Sequence, residues 1–103
     1  SKEWYHTFDL VIENHRIAAK QNKALLFPVG QIWKKYSDYK NVDNLYSFDG
    51  FHPSKAGSFL SALVMFRELF PKENLHLLKF HNYKKWIKNE DSFKLMLKLI
   101  QTN

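Results

Sequence analysis

Ala24-Leu25-Leu26-Phe27 is a short, continuous apolar run that Pro28 and Gly30 close. A run of this length between turn-forming residues is typical of a buried strand in a parallel sheet. A lone strand leaves backbone N–H and C=O groups unpaired along both edges, and burying each unpaired group costs about 1–3 kcal/mol. The strand therefore needs neighbours from sequence outside this chain or from another chain. The alternative is a helix end in a small all-α domain, because periodicity over so few residues does not separate the two.

Amphipathic helices are predicted on both sides of this run. Apolar residues recur every three or four positions over residues 5–21, which predicts a helix with one buried face. A second short helix is predicted over residues 31–39, with Ile32, Trp33 and Tyr36 facing inward. The order helix, strand, helix, loop, helix indicates an α/β protein with a doubly wound sheet.

The most apolar helix is predicted to begin after Ser54, a residue type that caps helix N-termini. It is apolar around much of its circumference, so we expect it to be largely buried, with Pro71 ending it. Residues 75–86 fit neither a helix nor a strand clearly. A final helix is predicted near the C-terminus, capped by Asp91 or Ser92.

The composition allows one domain, or part of one, in 103 residues of which 45% are hydrophobic. The absence of cysteine excludes disulfides, thiolate nucleophiles and cysteine-based zinc sites. No stretch approaches the roughly 18 apolar residues of a membrane span. The first residues lack both an initiating Met and the apolar run of a signal peptide, so we expect the chain to begin downstream of a natural start. The compartment stays open between a secreted or periplasmic location and the cytoplasm.

One motif carries recognisable chemistry: Asp49-Gly50-Phe51-His52-Pro53, in a loop that leads into the apolar helix. A turn built around Gly50 can bring the Asp49 carboxylate to the Nδ1–H of His52, which leaves Nε2 free to accept a proton. Asp-x-x-His also occurs in turns where the Asp only satisfies a backbone N–H. The motif alone therefore leaves both a catalytic and a purely structural role open.

Residues 49–57, Asp-Gly-Phe-His-Pro-Ser-Lys-Ala-Gly, resemble the last conserved block of the SGNH (GDSL-like) hydrolase superfamily. Residues 25–33 look like the strand and turn that precede this block. The resemblance covers about residues 5–70 and implies the C-terminal part of a three-layer, doubly wound parallel sheet of the flavodoxin-like kind. It implies a boundary after residue 70, with residues 71–103 as a helical extension of open role.

The resemblance also implies a function, the hydrolysis of a small acyl ester by a Ser-His-Asp triad without a cofactor. Asp49 would orient His52, and His52 would take the proton from a serine. The family's Gly-Asp-Ser-like turn and its oxyanion-hole Gly and Asn are absent, so we expect the N-terminal half of the same domain to supply them and this chain alone to be inactive. The serines present lack that setting: Ser37, Ser47, Ser54, Ser58, Ser61 and Ser92.

Aromatic residues beside the motif are weaker candidates for substrate binding. Phe48 and Phe51 flank Asp49 and could line an acyl pocket, or they could anchor the loop to the core. Trp33 could form a wall near the site or simply pack. No metal site is expected, because the remaining histidines show neither i,i+4 pairing nor neighbouring carboxylates: His6, His15, His76 and His81.

A basic tail supports a competing function. The chain has a formal charge of +6, and from residue 71 onward it contains seven Lys and three acidic residues. A small helical module of this charge could bind nucleic acid or an acidic protein, although lysines spread among apolar residues at helical spacing also suit a solvated face. A hydrolase-like scaffold without activity is the third alternative. The lysines concerned are Lys79, Lys84, Lys85, Lys88, Lys94 and Lys98.

Overall fold

The computed structural model describes residues 5–10, 12–13, 29–48, 50 and 53–102, and these residues are organised around helices. Residues 5–10 and 12–13 are helical and are called the N-terminal helical segment. Three longer helices follow, α1 (Val29–Ser37), α2 (Lys55–Leu69) and α3 (Glu90–Gln101). Two short 3-10 helices, Leu75–Leu77 and Phe80–Tyr83, connect α2 to α3.

The predicted α/β fold, a doubly wound parallel sheet in three layers, is wrong. The described residues contain no sheet, and their strand-like pairing is an isolated antiparallel bridge between Tyr46 and Pro53. The apolar run at residues 24–27, on which that prediction depended, lies outside the described residues. Its four residues were too few to separate a strand from a helix end, whereas the described residues on both sides of it belong to helices.

Helix α2 is the centre of the core and is buried around most of its circumference, as its sequence predicts. Every residue from 56 to 64 is buried, including Ser58 and Ser61. The helix ends at Leu69, two residues before Pro71, which agrees with the predicted stop. Because all sides of α2 are apolar, several helical elements must cover it, and they do so without a sheet.

Aromatic rings join the two ends of the chain over α2. The ring of Phe8 meets those of Phe59, Phe66 and Tyr83 edge-on, at centroid distances of 5.8, 5.5 and 5.6 Å. Edge-to-face pairs of this kind each add about 0.5–1.5 kcal/mol beyond the burial of their area. Residues before and after Pro71 therefore contribute to one continuous hydrophobic core.

Helix α1 buries the face predicted from its periodicity, with Ile32, Trp33 and Tyr36 inside. The cap of α3, however, is neither Asp91 nor Ser92. The Asn89 side chain caps this helix by accepting a hydrogen bond from the Asp91 N–H at 2.7 Å. Ser92 is fully buried instead, because its hydroxyl is used by a distant part of the chain.

Asp43, the residue that uses the Ser92 hydroxyl, links α1 to the start of α3 through hydrogen bonds. Its carboxylate accepts hydrogen bonds from the backbone N–H groups of Lys88 (2.6 Å) and Asn89 (3.3 Å), and its own N–H donates to Ser92 Oγ (2.8 Å). Burial raises the pKa of the Tyr36 phenol, which keeps its proton and donates at 2.7 Å to the Asp43 carbonyl oxygen. The segment after α1 is thus held against both helices.

Gly57 marks the closest approach between α2 and the segment before it. A Cβ atom at this position would collide with the Leu45 carbonyl oxygen and would lie 2.6 Å from Cη2 of Trp33. The colliding oxygen belongs to the backbone, so it cannot move aside as the end of a flexible side chain could. Only glycine lets α2 pack this closely.

We expect Gly57→Ala to lower the free energy of unfolding by about 1–3 kcal/mol, because the added methyl forces α2 away from Leu45. Gly30→Ala is the matched control, since no described atom lies within 4 Å of the added Cβ and alanine favours a helix by about 0.5–1 kcal/mol over glycine. Urea unfolding followed by circular dichroism measures both values. Equal midpoints for the two variants would contradict the close approach.

Candidate catalytic loop

The 44–54 loop, which connects the Asp43 region to α2, is fastened at its two ends. The Ser54 N–H donates to the Leu45 carbonyl oxygen at 2.8 Å, and Ser54 Oγ donates to the Asn44 carbonyl oxygen at 2.5 Å. The bridge between Tyr46 and Pro53 lies just inside this pair. The chain therefore leaves and returns at the same place, within eleven residues.

A turn inside the loop is also hydrogen-bonded. The Gly50 N–H donates to the Ser47 carbonyl oxygen at 2.9 Å, and Ser47 Oγ donates to the Pro53 carbonyl oxygen at 3.0 Å. Gly50 has a φ of 68°, the left-handed region in which glycine avoids the strain of a Cβ. The predicted turn around Gly50, which would bring Asp49 to His52, includes residues outside the described ones and stays a prediction.

Ser54 also caps α2, as predicted from its position. Its Oγ accepts a hydrogen bond from the Gly57 N–H at 3.1 Å, while the same oxygen donates to Asn44. One hydroxyl thus satisfies a free N–H of the helix and closes the loop. This double use explains Ser54 without a nucleophilic role.

The predicted catalytic residues Asp49 and His52, and the weaker candidate Phe51, lie outside the described residues. Their pairing stays a prediction, and the structure supplies the frame around them. Phe48 is described and is fully exposed, so its ring does not anchor the loop to the core. Its proposed contact with an acyl group is untested.

Trp33 supports the loop from the inside. Its ring lies 5.4 Å from that of Tyr46 in an edge-on arrangement, and the side chain is almost completely buried. Its Nε1–H has no hydrogen-bond acceptor among the residues that the structure describes. Trp33 therefore packs beneath the loop instead of facing solvent.

Two residues that fasten the loop were missed by the sequence analysis. Ser47 was named only among the serines that lack the sequence setting of a nucleophile, and Asn44 was not singled out. The Asn44 side chain accepts a hydrogen bond from the Tyr46 N–H at 2.9 Å, an Asx turn that the Asn-x-Tyr spacing could have indicated. The Ser47 contact with Pro53 depends on the closed loop and has no local signal.

Acidic side chains lie among the lysines of the basic tail on α3. On α3, Lys94 lies 3.9 Å from Glu90, and Asp91 is a second acid in the first turn. The ammonium groups of Lys84 and Lys85 lie over aromatic rings of their own segment, 5.9 Å from the centroid of Phe80 and 5.2 Å from that of Trp86. These contacts suit a solvated face with mixed charges.

Within the described ranges, no three His, Cys, Asp or Glu side chains gather as metal ligands would. His6, His76 and His81 are exposed, and His15 is outside the described residues. None of the described helices combines the length and apolar character needed to cross a membrane.

Comparisons with known proteins returned no relative. No protein-family model matches the chain, and no curated protein or solved structure is significantly similar to it. A function for this chain is therefore inferred from the chemistry of the 44–54 loop.

We expect Ser54→Ala to lower the free energy of unfolding by about 1–2 kcal/mol, because it removes the cap of α2 and the hydrogen bond to Asn44 together. The matched control is Ser37→Ala, at an exposed residue whose hydroxyl donates to the Trp33 carbonyl oxygen one turn earlier in the same helix. That change should stay within about 0.5 kcal/mol. Thermal unfolding of the two variants under one buffer compares them, and similar losses would contradict the role of Ser54.

Proposed function

We propose that this chain supplies the general base of a serine ester hydrolase, with His52 as the base and Asp49 as the carboxylate that orients it. The observation that carries the proposal is the fastening of the chain around these two residues. A hydrogen-bonded turn joins Ser47 to Gly50, and Ser54 closes the loop at the start of a buried helix. A base held in place before the substrate arrives needs little further ordering during the reaction.

The proposed chemistry is acyl transfer through a serine. Asp49 accepts the Nδ1–H of His52, so Nε2 is free to take the serine proton as the hydroxyl attacks the ester carbonyl. The imidazolium then gives that proton to the leaving alkoxide, which departs as the alcohol. A water molecule, deprotonated by the same Nε2, releases the acid from the acyl-enzyme and restores the serine.

The nucleophile and the oxyanion donors must come from outside these 103 residues. We assign them to an N-terminal half of the same hydrolase, which would meet the 44–54 loop. This assignment does not depend on a sheet, because the same triad geometry occurs on unrelated folds and is recognised by the roles of its members. Removing one oxyanion donor typically lowers the rate about 10²–10³-fold, so the isolated chain should show no hydrolysis.

The competing basic module has less support than the loop. It requires the tail lysines to form one continuous cationic face, and Glu90 and Asp91 interrupt that face on α3. The inactive-scaffold alternative shares the loop with the hydrolase and differs from it only in turnover. An activity measurement therefore separates the two.

The experiment uses the complete product of the reading frame that encodes this chain, assayed with p-nitrophenyl acetate. We expect His52→Ala and Asp49→Asn each to lower kcat/KM by about 10⁴-fold, because either change removes a correctly oriented base. His6→Ala, at an exposed histidine far along the sequence, is the matched control and should leave kcat/KM unchanged. A fluorophosphonate probe should label one serine in the parent protein.

Two results would overturn the proposal. His52→Ala could hydrolyse the ester as fast as His6→Ala, which would make the Asp49–His52 pair structural. Alternatively, no serine of the complete product could react with the fluorophosphonate, which would leave the inactive scaffold in place of the hydrolase.

A further inference from the structure

A groove separates the N-terminal helical segment from the 3-10 helices, on residues that the proposed hydrolysis does not use. Its volume is about 580 Å³, within the range of roughly 300–1,000 Å³ typical of small-molecule sites. Two largely buried aromatic residues, Tyr83 and Trp86, form its floor. We call this cavity the Tyr83 groove.

A second cavity of about 230 Å³ continues the Tyr83 groove. It shares Glu13, Lys85 and Trp86 with the larger cavity and reaches Lys55. Lys55 is the first residue of α2 and directly follows the 44–54 loop. The combined space therefore extends from the N-terminal helical segment toward the end of that loop.

The two walls of the Tyr83 groove carry complementary groups. Asp9 and Glu13 lie four positions apart in the N-terminal helical segment, so their carboxylates share one side of it. The other wall carries the exposed polar side chains of Lys79, Asn82 and Lys85. Hydrogen-bond acceptors thus line one wall, and mainly donors line the other.

Hydrogen bonds hold these walls together. The Tyr83 hydroxyl donates to Oδ1 of Asp9 at 3.2 Å, and the Tyr5 hydroxyl donates to the Leu77 carbonyl oxygen at 2.9 Å. Burial raises the pKa of the Tyr83 phenol well above its ordinary value, and the Asp9 carboxylate raises it further. The phenol therefore keeps its proton and donates to Asp9, which holds that carboxylate in place on the wall of the groove.

The lining discriminates among ligand classes. An anion meets two carboxylates, a cation meets two ammonium groups, and an apolar chain would strip water from all of these groups without replacing their hydrogen bonds. A neutral sugar avoids each penalty, because its hydroxyls can donate to the carboxylates of one wall and accept from the ammonium and amide groups of the other. We propose that the Tyr83 groove binds a neutral saccharide of about two rings.

Calorimetric titration of the complete gene product tests this site with cellobiose, maltose and N,N′-diacetylchitobiose. Sodium hexanoate represents the apolar chain, and inorganic phosphate represents the anion. We expect at least one disaccharide to bind with a Kd of about 1 mM or tighter. Asn82→Ala and Lys85→Gln should each weaken that binding about fivefold or more, the effect of one lost hydrogen bond.

Lys98→Gln is the matched control for Lys85→Gln, because it removes the same charge from an exposed site on α3 outside the groove. Its Kd should equal that of the parent. Asp9→Asn keeps an acceptor for the Tyr83 hydroxyl and should change the Kd by less than tenfold, whereas a cationic ligand would lose far more affinity.

The proposal fails if none of the disaccharides binds, if hexanoate or phosphate binds in their place, or if Lys85→Gln and Lys98→Gln weaken binding equally. All of these calorimetric results measure binding and not turnover. A protein without esterase activity could therefore still bind the disaccharide, and an active esterase could fail to bind it.

Discussion

The described structure depends on the hydrogen bonds that Asp43 makes to the residues around the start of α3. This residue lies between α1 and the 44–54 loop, yet its carboxylate satisfies two backbone N–H groups that precede α3. A carboxylate at a helix N-terminus is also favoured by the helix dipole, by about 0.3–1 kcal/mol where it is exposed. Without this contact the loop would lose its fixed starting point, and the buried hydroxyl of Ser92 would lose its donor from Asp43.

The loop is therefore held between two fixed points, Asp43 before it and Ser54 after it. The entropy of ordering the described residues of the loop, 44–48, 50, 53 and 54, is lost when the protein folds, and it does not have to be lost again when a substrate binds. Under the proposed function, this arrangement would favour a base that meets a nucleophile from another part of the protein. The fully exposed Phe48 shows that this part of the loop faces solvent.

Local patterns predicted much of the helical structure. Periodicity located the buried faces of α1 and α2, and residue type identified Ser54 as a cap and Pro71 as a stop. These features depend on neighbours three or four positions apart, which a sequence shows directly.

Features that depend on distant contacts were not predictable. The fold class was wrong because it was inferred from four apolar residues and from a family resemblance instead of from the packing of α2. Asn89, Asp91 and Ser92 are all residue types that cap helix N-termini. The hydrogen bond from the Asn89 N–H to Asp43, more than 40 positions earlier in the chain, favours Asn89 as the cap of α3. The Tyr83 groove likewise forms only where the N-terminal helical segment meets the tail.

The most direct test of the account is the tautomer of His52, observed by ¹⁵N-resolved NMR of the complete protein with and without Asp49→Asn. If Asp49 orients His52, the ring carries a proton on Nδ1 with a strongly deshielded resonance, which the substitution abolishes while the hydrogen-bonded amides of Gly50 and Ser54 stay protected from exchange. A His52 ring whose resonances are the same in both proteins would show that Asp49 does not orient it, and the catalytic assignment of the loop would be wrong.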